Sequence, residues 1–207
     1  MKANEDLCVL GRQVLLVPYE REFVPLYHSW MQNKTLLEQT ATEPLSLQEE
    51  YENQISWRLD PHKCSFIIIY VQQQQPQRVV GDVNLFLLQD DDSDAAEVEV
   101  MIAESSYRRL GLATEAVQLL LLFAHQFLSL NTFIAKISTH NVASMELFQR
   151  RLGFEIFRRV PVFSEVHLRK TGVVHVPVRY SSWKRDWYPL CKDWIWTDST
   201  DEKEEYE

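Results

Sequence analysis

The segment Arg108–Ala116 places small and basic residues in a pattern that suits phosphate binding. Gly111 and Ala113 let an anion approach the backbone closely, and a helix that begins near Thr114 directs the positive end of its dipole at the same place. The two arginines of the segment add long-range attraction. We therefore predict a phosphate-binding turn, with a strand-to-helix turn that binds nothing as the alternative. The predicted contact residues are Arg108, Arg109, Leu110, Gly111, Leu112, Ala113 and Thr114.

Two acidic residues precede this turn in the alternating stretch Ala96–Ala103. Because side chains alternate across a strand, Glu97 and Glu99 share one face, while Val98 and Val100 share the other. Two carboxylates that face a cleft raise each other's pKa and attract a cationic substrate. The alternative is an ordinary strand face that is exposed to solvent or paired with arginine.

A second motif follows the β-prone segment Thr132–Ile137. Its residues are Asn141, Ser144, Leu147, Phe148, Leu152, Gly153 and Phe154. The spacing places the serine, the leucines and the first phenylalanine on adjoining faces of one helix, which Gly153 terminates.

Together the two motifs resemble the Gcn5-related N-acetyltransferase (GNAT) superfamily. The turn matches the Arg/Gln-x-x-Gly-x-Gly/Ala loop that binds acyl-coenzyme A in that superfamily, and Asn141 matches the position that meets the pantetheine arm. Residues 96–103 and 111–116 are similar to the branch of the ribosomal-protein N-terminal acetyltransferases. Residues 80–87, the opening strand and the length are similar to the N-acetyltransferase 9 family. The resemblance covers roughly residues 10–170.

The resemblance implies an α/β (α+β) fold with a mixed, mostly antiparallel sheet of about six to seven strands. Helices cover both faces, and the fourth and fifth strands splay apart. It also implies acetyl-coenzyme A as cosubstrate. The backbone of Met101, Ile102 and Ala103 is expected to pair with pantetheine, next to Asn141 and Ser144.

Glu97 is the first candidate for the base that deprotonates the acceptor amine, because it matches the glutamate of the Glu-x-Gly pattern in the ribosomal-protein branch. Glu99 stands where that branch often has glycine, and it is the second candidate or a substrate contact. Many members of the superfamily carry a tyrosine at the position of Phe148, which we expect to have a packing role here. The departing thiolate is then protonated by solvent, by Tyr107 or by His140.

An α-amine is the acceptor that weak base machinery favours. Its pKa is about 7.8, against about 10.4 for a lysine side chain. The resemblance points to the N-termini of α- and β-tubulin. We keep open a second class of function, a catalytically weak binding module that acts on microtubules by binding. Phe148 favours this alternative, as does an aromatic C-terminal segment, although its tryptophans are more simply explained by packing on the core. The aromatic residues are Trp183, Trp187, Tyr188, Trp194 and Trp196.

The elements that must position these residues follow from hydrophobic periodicity and from helix and turn signals. We predict strands at 14–19, 65–71, 78–88, 97–102, 132–137, 154–160 and 163–169. We predict helices at 22–31, 47–59, 114–129 and 141–151, the second opened by the capping box Ser46–Glu49. Polar turns are expected at Gln72–Gln77 and Asp90–Asp94.

The length and composition fit one domain with appendages, and the resemblance implies an acetyltransferase domain over residues 1–170. An aromatic extension over 171–197 and an acidic, disordered tail over 198–207 follow it. The net charge of −9 disfavours nucleic acid as a partner. No signal peptide is expected, and the apolar run 116–130 is too short for a membrane span. Three separated cysteines indicate isolated thiols in a reducing, cytoplasmic location. Neither the cysteines nor the six histidines have the spacing of metal ligands, so no metal site is expected. The oligomeric state is left open.

Overall fold

Nine strands form one sheet in the computed structural model, which describes residues 2–40, 42–88 and 94–195. The strands are β1 (Leu7–Leu10), β2 (Val14–Pro18), β3 (Lys63–Gln72), β4 (Gln75–Leu87), β5 (Ala95–Ile102), β6 (Thr132–Ser138), β7 (Glu155–Val160), β8 (Glu165–Thr171) and β9 (Arg179–Ser182). Their order across the sheet is β7-β8-β6-β5-β4-β3-β2-β1-β9. Neighbours are antiparallel, except that β5 and β6 run parallel.

Six α-helices lie in the described part of the chain. They are α1 (Val24–Trp30), α2 (Lys34–Thr40), α3 (Leu47–Leu59), α4 (Leu112–Leu128), α5 (Val142–Glu146) and α6 (Tyr188–Ile195). A π-helical turn over Leu147–Arg151 continues α5, and another over Trp183–Trp187 leads into α6. Short 3₁₀ turns span Lys2–Asn4, Arg21–Phe23, Ser105–Tyr107 and Pro161–Phe163. No described helix is long and apolar enough to cross a membrane.

Both faces of the central strands are buried, which explains why β2 and β3 are almost continuously apolar in sequence. Leu15 and Val17 face a cluster that contains α1 and the C-terminal tryptophans. Val14 and Leu16 face the other cluster, which contains α4 and the second motif. Alternating side chains of one strand thus enter two separate cores. The mixed α/β sheet with helices on both faces is confirmed.

The strand count of about six to seven was too low. Both additional strands lie at one edge, where β1 pairs with β9 in the register Leu7↔Ser182 to Leu10↔Arg179. The sequence of β9 has no hydrophobic alternation that could have revealed it. Tertiary contacts hold it there, because the Asp6 carboxylate accepts a hydrogen bond of 2.7 Å from the Ser182 hydroxyl.

Three predicted boundaries also differ from the structure. The polar linker Gln72–Gln77 contracts to a two-residue turn at Gln73 and Gln74, with φ of 51° and 62°, because both strands continue into it. Helix α4 begins at Leu112 rather than at Thr114. The helix predicted over 22–31 starts as the 3₁₀ turn, and α2 was not foreseen.

The capping box is confirmed. The Glu49 amide donates to the Ser46 hydroxyl at 3.3 Å, and the Ser46 amide donates to the Glu49 carboxylate at 2.8 Å. These reciprocal bonds start α3, which ends at Leu59 as predicted.

The C-terminal segment folds back on the core at its first two tryptophans. Trp183 and Trp187 are 2% and 5% exposed, and the Trp183 ring lies 5.8 Å from Phe23. The side chain of Trp194, Trp196, the acidic turn at 90–93 and the tail 198–207 lie outside the described residues. The domain division at residue 170 stays a prediction.

Candidate active site

The turn between β5 and α4 has the geometry of an anion site. Gly111 caps the first turn of α4 with φ of +86°, a left-handed conformation that favours glycine. A Cβ at this position would meet no atom within 4 Å, so the space beside the glycine is open. In the described structure, the backbone amides of residues 109–114 donate no backbone hydrogen bond. They are therefore available to a phosphate, next to the positive end of the helix dipole.

The two arginines of this turn differ. Arg108 donates from Nε to the carbonyl oxygen of Ile102 at 2.8 Å and from Nη2 to that of Ala103 at 3.2 Å. Its guanidinium therefore ties the turn to the end of β5. Arg109 is exposed and adopts φ of 65°. The long-range attraction expected of both arginines thus falls mainly to Arg109.

The expected splay lies between the parallel strands β5 and β6. They pair only over Ala95–Glu97 with Thr132–Ile134, although both strands continue beyond. The Ala103 amide donates to the Val80 carbonyl oxygen at 2.9 Å, so it faces β4. Since backbone groups alternate along a strand, Met101 also faces β4 and Ile102 faces the gap. Of the three residues expected to pair with pantetheine, Ile102 alone faces the gap, and because its carbonyl oxygen accepts from Arg108, its amide is the group left to pair there.

Helix α5 contributes the polar groups of the second motif. The side-chain oxygen of Asn141 caps the helix by accepting from the Ser144 amide at 3.1 Å. Both residues line the same cleft as the anion-binding turn. Phe148 is 3% exposed, and its ring meets that of Phe154 edge-on at 5.0 Å between centroids, so its packing role is observed. Gly153 ends the motif with φ of +71°.

The two candidates for protonating the thiolate are placed differently. Tyr107 lines the cleft, and its ring lies 5.4 Å from that of Tyr70. His140 is exposed and is not among the residues that line the cleft.

The cleft has a volume of about 1450 Å³ and joins the anion-binding turn to the acidic face of β5. Glu97 and Glu99 both line it. The Glu97 carboxylate accepts a charged hydrogen bond of 2.6 Å from Nζ of Lys136 on β6. Glu99 has no such pair among the described residues. Solvent reaches Glu99 through the cleft, yet the surrounding protein raises its pKa by desolvation, and the nearby Glu97 raises it further.

Strand β4 adds two polar residues that the sequence analysis did not assign to the site. By register Asn84 lies opposite Glu99, and Asp82 lies opposite Met101. Asn84 donates from Nδ2 to Oδ2 of Asp82 at 2.6 Å, and both side chains line the cleft. Their other oxygens have no hydrogen-bond partner in the described structure. Desolvation raises the pKa of Asp82 to about 7.

Lys63 on β3 completes this polar cluster. Its Nζ lies 2.8 Å from the ring centroid of Trp57 and 4.6 Å from that of Phe86. The residue is 5% exposed, and desolvation lowers the pKa of its ammonium to about 7, although Glu99 and Asp82 oppose that shift. A lysine next to Glu99 that loses its charge easily can adjust the basicity of that carboxylate.

The sequence contained a signal for these groups. Asp82 and Asn84 alternate with buried valine and leucine in β4, as Glu97 and Glu99 alternate with valine in β5. Polar residues at every second position of a central strand indicate a shared face that is not part of an apolar core.

Comparison with known proteins agrees with this geometry. The family model of the acetyltransferase (GNAT) domain matches residues 13–155. The alpha/beta-tubulin-N-acetyltransferase 9 of Mus musculus is 46% identical over 176 residues, covering 82% of this chain and 73% of the relative. That of Drosophila melanogaster is 42% identical over 208 residues, covering 96% of this chain and 94% of the relative.

Solved structures share the fold at low identity. The spermidine N-acetyltransferase of Vibrio cholerae, in complex with CoA and spermine, has a TM-score of 0.63 at 17% identity, covering 84% of this chain and 97% of that chain. A ribosomal L7/L12 alpha-N-protein acetyltransferase in complex with coenzyme A has a TM-score of 0.62 at 16% identity, covering 78% and 95%. Together with the anion-binding turn, the splayed strands and the family match, these findings show that the chain belongs to the GNAT acetyltransferases, in the N-acetyltransferase 9 family.

Proposed function

We propose that this protein transfers an acetyl group from acetyl-coenzyme A to the α-amine of a protein N-terminus in the cytoplasm, with α- and β-tubulin as substrates. The observation that carries the proposal is a single cleft with free backbone amides at one end and a carboxylate of raised pKa at the other. The tubulin assignment is supported by the names of relatives that are 42–46% identical.

The residues of the turn fit a pyrophosphate. The space beside Gly111 is open, and the amides of residues 109–114 donate no hydrogen bond to another backbone group in the described structure. Ile102 presents its backbone to the gap between β5 and β6, where the pantetheine arm is expected to lie, with Asn141 and Ser144 on the other side. The cosubstrate supplies the activated acetyl group, and this arrangement holds its thioester near the acidic face of β5.

We assign the proton acceptor to Glu99 and a supporting role to Glu97. The Glu97 carboxylate is already engaged, because it accepts a charged hydrogen bond of 2.6 Å from Lys136 on the neighbouring strand. Glu99 is accessible from the cleft, and its raised pKa brings it closer to that of an α-amine. Its carboxylate accepts the proton from the substrate ammonium, so the neutral amine can attack the carbonyl. Tyr107 or solvent then protonates the thiolate.

An α-amine suits this base better than a lysine side chain. Removing a proton from a lysine of pKa about 10.4 costs roughly 3–4 kcal/mol more at neutral pH than from an α-amine of about 7.8. Even Asp82 and Lys63, whose pKa values are displaced to about 7, remain well below the pKa of a lysine amine.

Incubation with a peptide that carries the N-terminal sequence of α- or β-tubulin tests the function. We expect release of free thiol from acetyl-coenzyme A and a mass increase of one acetyl group at the peptide α-amine. A matched peptide with a blocked N-terminus and an internal lysine is the control, and it should release no thiol above background. Equal acetylation of both peptides would show that the enzyme does not prefer the α-amine and would contradict the proposal. No thiol release from either would favour the binding-module alternative.

The binding-module alternative has lost part of its support. It depended on Phe148 and on surplus tryptophans, but Trp183 and Trp187 are buried in the core. These two side chains are not available to a partner.

A further inference from the structure

The hairpin of β7 and β8 carries a cationic surface on an otherwise acidic protein. Residues 150–170 contain six arginines and lysines but two acidic residues, whereas the whole chain has 21 basic and 30 acidic residues. The remainder therefore has a net charge of −13 (15 basic and 28 acidic residues). The segment 150–170 thus has a net charge of +4 in a chain whose net charge is −9.

We define the basic edge as the cationic residues of this hairpin and its approach that do not line the cleft. They are Arg150, Arg158, Arg159, Arg169 and Lys170. The four arginines are exposed, and none of the five has a salt bridge to a described acidic residue. Of the two acidic residues of the hairpin, Glu165 contacts His167 at 3.2 Å, and Glu155 lies opposite Arg169 in the strand register without a salt bridge to it.

Strand β7 is the terminal strand of the sheet, so its outer backbone is unpaired within the described structure. Edge strands are often protected by charged residues and bulges, and β7 has a register shift between Ile156 and Arg158. Edge protection does not explain the apolar side chains beside the charges. Arg169 packs over the ring of Phe157 at 5.1 Å, but Val162 and Phe163 are 80% and 70% exposed. Arginine together with exposed aromatic residues is the composition of a protein-binding surface.

The orientation of the arginines indicates the partner. Arg158 lies opposite His167 and Arg159 lies opposite Val166, so the two side chains project from opposite faces of the sheet. A polypeptide that extends along this edge would direct its side chains alternately to the two faces of the sheet. On each face they would meet one of the two arginines. Two successive acidic residues in such a polypeptide could each form an ion pair with one of these arginines.

We propose that the basic edge is a docking site for an extended acidic segment of a partner protein. A polypeptide is favoured over a nucleic acid or an anionic membrane, because the unpaired strand offers backbone groups that only another polypeptide chain can pair with in register, and because the negative remainder of the protein repels large polyanions. This docking site lies outside the acetyl-transfer cleft and does not depend on the reaction.

Binding of a fluorescent twelve-residue peptide rich in glutamate, measured by anisotropy without acetyl-coenzyme A, tests the proposal. We expect binding that weakens as salt rises, and a loss of about tenfold in affinity for the double variant Arg158→Glu/Arg159→Glu, because two favourable charge contacts become repulsive. The matched control is Arg179→Glu/Lys184→Glu, which makes the same change in net charge at the opposite edge of the sheet. It should change affinity less than twofold.

Two further measurements complete the test. Phe163→Ser should weaken binding without changing the slope of affinity against salt, because it removes apolar contact and no charge. A lysine-rich peptide of the same length should not bind. Equal losses in both double variants would overturn the proposal by showing a general charge effect, as would tighter binding of a twelve-nucleotide RNA or of phosphatidylserine vesicles than of the acidic peptide. Acetylation of a short neutral peptide by Arg158→Glu/Arg159→Glu should match the wild type, which shows that the variant is folded.

Discussion

The two ends of the cleft are built in different ways. The cofactor end consists of backbone from one continuous segment, residues 108–114, with Gly111 providing space and conformation. The acceptor end consists of titratable side chains from β3, β4, β5 and β6, packed beneath α1 and α3. Glu99 and Lys63, for instance, are 36 positions apart in the chain yet interact electrostatically.

This difference separates the properties that each end controls. Backbone amides keep their hydrogen-bonding capacity at any ordinary pH, so the cofactor end should bind its ligand with little dependence on protonation. Several groups of the acceptor end, among them Glu99, Asp82 and Lys63, have pKa values that burial displaces. Changes there should alter the rate and its pH dependence.

Replacement of the proposed base should have the largest effect. Glu99→Gln keeps the shape of the side chain but removes its basicity, so kcat should fall roughly 10²- to 10⁴-fold while the Kd for acetyl-coenzyme A is unchanged. Steady-state kinetics on an N-terminal peptide and calorimetric titration measure the two quantities. Glu97→Gln is the matched control, and its kcat should fall about tenfold or less. A larger loss in that control would exchange the two roles.

Introducing a side chain and a negative charge into the turn should have the next largest effect. It should change the Kd for acetyl-coenzyme A rather than kcat. Gly111→Glu places a carboxylate where the pyrophosphate is expected and forces a left-handed φ on a residue with a Cβ, so acetyl-coenzyme A should bind at least about 30-fold more weakly. Arg109→Ala should weaken binding about threefold, because it removes only a screened, exposed charge. Calorimetric titration compares them. Equal, small losses would mean that the pyrophosphate lies elsewhere.

The pH dependence offers a finer test of the acceptor end. Activity requires Glu99 to be deprotonated, so kcat/KM should rise with pH through a pKa above that of a free glutamate. Lys136 lowers the pKa of Glu99, and Lys136→Met should therefore move this rise to higher pH. The pH–rate profile of each protein on the same peptide provides the measurement. A rise that moves to lower pH would contradict the assigned electrostatic role of Lys136.

The smallest expected effect concerns Phe148, which stands at the position of a tyrosine in many relatives of the fold. Because Phe148 packs against Phe154, Phe148→Tyr should bury a hydroxyl and destabilise the protein by about 1 kcal/mol. The kcat of this variant should stay within about twofold of the wild-type value, since a thiolate whose conjugate acid has a pKa of about 8.5 does not require an enzymatic acid. Thermal unfolding and initial rates measure the two effects. A tenfold gain in kcat would show that the missing phenol limits the reaction.

Local features of the structure could be predicted from the amino-acid sequence. The turn with Gly111, the capping box at Ser46 and the shared face of Glu97 and Glu99 each depend on a few neighbouring residues whose types dictate the backbone. The GNAT fold followed from two such motifs in the right order. For the same reason, the elements around the motifs were placed to within a few residues.

Features that depend on residues distant in the chain could be found only in the folded protein. The pairing of Lys136 with Glu97, the position of Lys63 under Trp57 and the opposition of Asn84 to Glu99 result from strand order and register. A sequence pattern specifies which side chains share a face of one strand, but not which neighbouring strand supplies their partners. Those partners set the burial and charge around each carboxylate, and through them its basicity.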